Sequence, residues 1–134
     1  METKNYGTLI NRVKALIIDS LVIMGMGVLF AIILSKFDNA PDSIRLISFL
    51  FVFFLYDPLF TSLFGGTIGH LIIGHRVLRD IDETKKLIFP LALVRFIFKS
   101  FLGWISLLTI TGNKKNKAIH DSIVNSIVID IRNK

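Results

Sequence analysis

Apolar residues along the chain gather into three long blocks, and the length and interruption of each predict what it builds. The first, from about Val13 to Ser35, has the roughly 20 residues a helix needs to cross a bilayer. A polar turn from Lys36 to Asp42 follows, where Pro41 blocks continuation of the helix. The second block, from about Ile44 to Phe64, predicts an antiparallel second span. A kink is expected at Asp57 and Pro58, because proline removes a backbone donor and crowds the carbonyl four residues back. Gly65, Gly66, Gly69 and Gly74 then break the helix; Gly65 and Gly69 have the small-xxx-small spacing that lets helices approach closely, and a glycine-rich exit from the membrane is the equal alternative.

The third block, Ile88 to Thr111, is divided by Arg95 and Lys99. The uncharged remainder from Ser100 to Thr111 reaches only about 18 Å as an α-helix, against a hydrocarbon core of about 30 Å. A crossing would also put Lys114, Lys115 and Lys117 opposite the other basic loops. The pattern therefore predicts a re-entrant or interfacial helical segment, with a full third span as the alternative. His75–Asp80 and Asn125–Arg132 are short and β-branched and predict two strands that pair outside the membrane; Ile127, Ile129 and Ile131 alternate with Ser126, Val128 and Asp130 as in a half-buried strand. The expected fold is one domain over residues 1–134, an all-α membrane protein with two transmembrane helices, the re-entrant or interfacial third segment and a small cytoplasmic β-ribbon.

Composition supports the membrane class, since 52% of residues are hydrophobic and 19% charged, above the ~45–50% apolar share of soluble domains. The net charge of +6 lies in three clusters, Lys4 to Lys14, Arg76 to Lys86 and Lys114 to Lys134, which flank the apolar blocks. That is the distribution of loops facing the cytoplasm and its anionic leaflet, so both termini are expected there, in a cell membrane of the bacterial inner-membrane kind. No nucleic-acid-binding motif accompanies the basic residues. Asp19 and the lack of an Ala-x-Ala-like site argue that the first block is a retained span and not a cleaved signal. The chain has no cysteine, which excludes disulfides, thiolate catalysis and Cys-based zinc sites. The Gly69–Gly74 interval is no phosphate loop, because His75 and Arg76 stand where Lys and Ser or Thr are needed. With His70, His75 and His120 as the only histidines and no nucleophile turn, neither a metal, a cofactor nor an enzyme activity is expected.

The candidate chemistry lies in charges placed among apolar residues. Arg12 and Asp19 are seven apart, close to two helical turns, so they share a face and are expected to reach each other directly or through water. Asp19 and Asp57 fall at matched depth on antiparallel helices, each roughly 10 Å from the same membrane face. Two such carboxylates would bind a cation or share a proton, or else be neutralised by Arg12, Arg95 or Lys99 in a network that fixes helix packing. Arg95 and Lys99 share a helix face and either anchor the third segment to headgroups, the commoner use, or close the polar site. Asp121 is expected to cap a helix starting near Ser122 or to pair with a basic residue of the middle loop. The candidate network is thus Arg12, Asp19, Asp57, Arg95 and Asp121. It implies a structural or interaction role, with a transporter or cation/proton exchanger as the alternative. Expected partners are membrane lipids and a second copy or another membrane protein.

Three stretches carry a resemblance. Asn11 to Asp19 places an Arg before the first helix and an Asp within it. Gly66, Thr67, Ile68 and Gly69 lead through Gly74 and His75 to a short strand, and Ala118, Ile119, His120 and Asp121 precede Ser126 to Ile129. Over nearly its whole length the chain resembles the RDD family of small membrane proteins, with Arg12, Asp19 and Asp121 at the three positions that name the family. Gly66 and His70 depart from it, standing where a more polar residue and a Lys are common. The resemblance implies a membrane protein of unassigned activity, for which transport of unidentified ligands is often suggested.

Overall fold

Thr8 starts the first helix by accepting the Asn11 N–H at 3.4 Å, and α1 then runs over Leu9–Ser35. The computed structural model describes residues 5–132, so Lys4 and Lys134, the outer ends of two basic clusters, lie outside the described residues. After the polar turn α2 covers Asp42–Phe64, continuing through Pro58, and ends at Gly65, whose φ of 77° is a left-handed conformation open to glycine at little cost. The Thr67 hydroxyl accepts the His70 N–H and opens the short α3, Ile68–Ile73. The chain continues as β1 (His75–Arg79), α4 (Phe89–Leu102), a 3-10 helix (Gly103–Gly112), α5 (Ile119–Ile123) and β2 (Ser126–Asp130).

The spans are polar inside and apolar outside. Arg12, Ala15 and Asp19 are the buried residues of α1, at the i, i+3, i+7 positions of one face, while Ile17, Leu21, Met24 and Val28 are exposed. In α2 the buried residues are Tyr56, Asp57, Pro58 and Thr61, and in α4 they are Ala92, Arg95 and Phe96. Such a distribution suits a lipid surround, in which ionisable residues turn to the bundle interior. Leu9–Ser35, Asp42–Phe64 and Phe89–Gly112 are each long and apolar enough to cross a membrane.

The third of these goes in and comes back. Lys86 bridges to Leu78 of β1 just before α4 begins. Beyond the 3-10 helix, Lys115 and Lys117 hold Asp80, next to the end of β1, at 2.6 and 2.7 Å. Both ends of the segment therefore sit beside the ribbon. The two legs match: the 14 residues of α4 rise about 21 Å at 1.5 Å each, and the 10 residues of the 3-10 helix about 20 Å at 2.0 Å each. Gly103 makes the turn, with φ 53° and ψ −136°, a backbone conformation that side chains disfavour. The re-entrant form expected from Arg95 and Lys99 is thus what the packing gives.

The ribbon forms as expected, antiparallel, with His75 opposite Asp130 and Arg79 opposite Ser126. Its alternation does not translate into one wet face. Ser126, Ile127 and Val128 are all fully buried, because Val128 packs with Val77, Leu87, Ala92 and Val124 while the segment before α1 covers the strand edge, Gly7 donating its N–H to the Val128 carbonyl at 2.8 Å. A second small core joins Leu107, Ile110 and Ala118 to Leu9 and Leu16, which fixes the returning leg against the start of α1.

Candidate functional site

Asp19 is held without a cation. Its Oδ1 accepts the Tyr56 hydroxyl at 2.8 Å and the Gly69 N–H at 2.8 Å, and its Oδ2 accepts the Thr67 hydroxyl at 2.5 Å. The arrangement depends on α3 lying directly against α1. A Cβ on Gly69 would collide with the Ala15 carbonyl oxygen and the Asp19 carboxylate, so the glycine is what allows its own N–H to reach the acid. The close approach foreseen for a small residue here is real, and its partner is the backbone of α1. The expected Arg12–Asp19 contact does not form: the two share a face and one cavity, but Arg12 turns towards the C-terminal part of the chain.

There Arg12 Nη1 donates to Asp121, and Nη2 donates to the Asn116 carbonyl at 2.7 Å. Arg95 Nε donates to the other oxygen of Asp121 at 3.0 Å. Asp121 also accepts the Ala118 N–H at 3.1 Å and so ties down the start of α5, which begins at Ile119, ahead of the Ser122 expected. Its arginines come from α1 and α4, not from the middle loop. Burial alone would raise the Asp121 pKa, yet the Arg12 and Arg95 guanidinium groups hold it well below the usual carboxylate range.

The network extends inward. Arg95 Nη1 lies 3.9 Å from Asp57 Oδ1, and Lys99 Nζ donates to Asp57 Oδ2 at 2.5 Å. Asp57 is further satisfied by the Thr61 hydroxyl at 3.3 Å. Arg95 is 1% exposed; it and Lys99 close the polar site, and the headgroup-anchoring role expected of them is not what they do. The spacing of four on α4 that suggested an anchor also places both cations on the face turned to Asp57 and Asp121. The result is a chain of alternating charge, Lys99–Asp57–Arg95–Asp121–Arg12, drawn from α1, α2, α4 and α5.

Two histidines complete the surroundings. His120 Nδ1 lies 2.7 Å from the Ser106 hydroxyl, whose oxygen also accepts the His120 backbone N–H at 3.2 Å, and Nε2 is 3.5 Å from Asp121. Ser106 is fully buried, so this pair fastens the 3-10 helix to α5. Burial lowers the His120 pKa to about 3, and burial, reinforced by Lys99 and Arg95, pushes His70 well below its ordinary value; both are neutral near pH 7. Arg12, Asp19, Asp57, His70, Arg95, Lys99 and His120 all line one cavity of about 400 Å³ between the helices. Among the described residues no group of His, Asp and Glu is placed to hold a metal ion.

Of the residues singled out from the sequence, Arg12, Asp57, Arg95 and Asp121 are joined in one network, and Asp19 borders the same cavity on its own set of donors. Tyr56, Thr67 and the Gly69 N–H were not anticipated as partners of Asp19. The available signals were a phenol beside Asp57 in an apolar block and a threonine three residues before His70, the spacing of a helix cap.

No curated protein and no solved structure matches the chain. The sequence model of the RDD family matches residues 6–125, a stretch that contains the whole charge network and the glycine-threonine turn. The chain, with its apolar helices wrapped around these buried charges, belongs to the RDD family of membrane proteins.

Proposed function

We propose that the protein is a membrane scaffold, with a structural or interaction role, in which the charge network locks the ribbon onto the helices so that the ribbon side can meet partners. The observation that carries this reading is the alternating chain Lys99–Asp57–Arg95–Asp121–Arg12, in which Asp57 of α2 meets two cations of α4 and Asp121 of α5 joins Arg95 of α4 to Arg12 of α1. An acid meant to take up and release a transported ion would be cheaper to use without a fixed ammonium at 2.5 Å. The reading places the ribbon and both termini in the cytoplasm of a bacterial cell, where Arg76, Arg79, Lys85 and Lys86 face anionic lipid and an acidic partner surface. The partner is a second copy or another membrane protein, and no catalysis or cofactor is involved.

The test is a proteoliposome flux assay over a panel of cations and small solutes, run beside thermal unfolding. The scaffold reading expects flux equal to empty liposomes and a clearly lowered melting temperature for Asp57→Asn. A flux abolished by Asp57→Asn at unchanged melting temperature would replace it with the transporter or cation/proton exchanger reading.

A further inference from the structure

The cavity of about 400 Å³ falls within the ~300–1,000 Å³ of sites that hold small ligands, and its lining is mixed in chemistry. Ile23, Phe53, Phe96 and Trp104 share it with Asp19, Asp57, His70, Arg95 and Lys99.

The polar lining residues carry hydrogen-bonding capacity that no described residue uses. Arg95 donates from Nε to Asp121, but its buried Nη1 has no hydrogen-bond partner. His70 supplies the complement by proton counting. Thr67 Oγ1 lies 2.5 Å from Asp19 Oδ2 and 2.6 Å from His70 Nδ1, and it owns a single proton. The hydrogen bond from Thr67 to Asp19 uses that proton, so His70 carries its proton on Nδ1 and offers Nε2 as a lone-pair acceptor. Arg95 and His70 both belong to the wall of one cavity.

Charge selects among guests. Arg12, Arg95 and Lys99 balance Asp19, Asp57 and Asp121, with both histidines neutral. An ionic guest would add charge to a balanced, poorly solvated site, whereas an uncharged polar head would not. The approach is from the side: Ser20, Ser100 and Trp104 line the cavity and are exposed on the surface that the spans turn to lipid.

We propose that the cavity binds an uncharged amphiphile taken from the lipid phase. Its head gives a hydroxyl proton to His70 Nε2 and sets its carbonyl beside Lys99, as a monoacylglycerol can, and its chain lies along Phe53, Phe96 and Trp104. This site is independent of the scaffold role and stands or falls separately from it.

Trp104 is the only tryptophan of the chain and lines the cavity, so the fluorescence of the full protein reports on it. The protein in lipid nanodiscs is titrated with a monoacylglycerol brominated on its medium-length chain, and with the fatty acid and the alkyltrimethylammonium ion of the same chain. The expected result is saturable quenching by the monoacylglycerol, at about tenfold lower concentration than by either ion. His70→Phe should weaken it by roughly tenfold, one lost hydrogen bond. Ser100→Phe, a change at an exposed position that fills the mouth, should leave only the linear quenching of bromolipid dissolved in the bilayer. Equal, unsaturable quenching by all three probes overturns the proposal, as does tightest binding by an ion, or saturable quenching that Ser100→Phe leaves intact. Should His70→Phe fail to fold, the head-group comparison and Ser100→Phe decide.

Discussion

Asp121→Asn is the sharpest probe of the network, because it removes one charge and almost no volume. Asp121 is 0% exposed and accepts from Arg12, from Arg95 at 3.0 Å and from the Ala118 N–H at 3.1 Å. Breaking a buried ion pair by removing one partner costs about 3–5 kcal/mol, since the remaining charge stays buried. Two guanidinium groups would be left here, but Asn keeps one acceptor oxygen, which places the expected loss near the lower end, about 3 kcal/mol. Arg12→Gln alone should cost less, as Arg95 still neutralises Asp121. The double variant Arg12→Gln/Asp121→Asn should then be more stable than the sum of the single losses by about 1–3 kcal/mol, the coupling expected of contacting charges. Reversible unfolding in mixed micelles, followed by circular dichroism, measures all four corners of the cycle. A second cycle, Arg12→Gln with Asp19→Asn, should be additive within about 0.5 kcal/mol, because Asp19 is satisfied by Tyr56, Thr67 and Gly69 and not by Arg12. Additivity in the first cycle, or strong coupling in the second, would refute the assignment of partners.

Three further outcomes follow from the fold. Cysteines placed singly at Lys36 and Lys117 should react with an impermeant reagent from opposite sides of the membrane, because Lys117 returns to Asp80 beside the ribbon; labelling of both from one side would mean the third segment crosses. Gly69→Ala should destabilise the protein by about 1–3 kcal/mol through overpacking against α1, while Gly25→Ala, with nothing within 4 Å of the new methyl, should be neutral in the same unfolding assay. His75 has no hydrogen-bond partner on either ring nitrogen, and burial lowers its pKa to about 4 against the opposing pull of Asp130. Its folded pKa lies below the unfolded ~6.5, so the unfolded chain binds the extra proton. The stability it permits is complete above about pH 6.5 and is lost as pH falls towards 4, by up to about 3 kcal/mol. His75→Leu should flatten the melting temperature over that interval, and an unchanged acid slope would contradict the buried neutral imidazole.

The elements were legible because lipid and water sort residues by kind over long runs. Leu9–Ser35 and Asp42–Phe64 each fill a bilayer's length with apolar side chains, and the two β-branched stretches pair with each other. The re-entrant segment was legible from Arg95 and Lys99, although the 18 Å estimate assumed an α-helix where the returning leg is 3-10 and longer per residue. Partners were harder to read. The spacing of Arg12 and Asp19 fixes a shared face and nothing more, and which neighbour each meets depends on α3 packing against α1 through Gly69, a contact across 50 residues of sequence. Asp19 could be satisfied by neutral donors only because that packing delivers a hydroxyl, a phenol and an N–H to one place. The strand alternation misled because both faces of the ribbon are covered, which a periodicity of two cannot reveal.

The bond between Arg12 and Asp121 spans 109 residues, nearly the whole chain. A ribosome adding ~5–20 residues per second needs about 5–20 s to make that interval. Throughout it, α1 stands in the insertion machinery with its arginine already delivered and the balancing aspartate not yet translated. The network is thus closed late: α5, made well after α1, supplies the carboxylate that neutralises it. Until Asp121 is made, α1 carries a guanidinium without its carboxylate, so the settled packing of the N-terminal half waits on synthesis reaching α5.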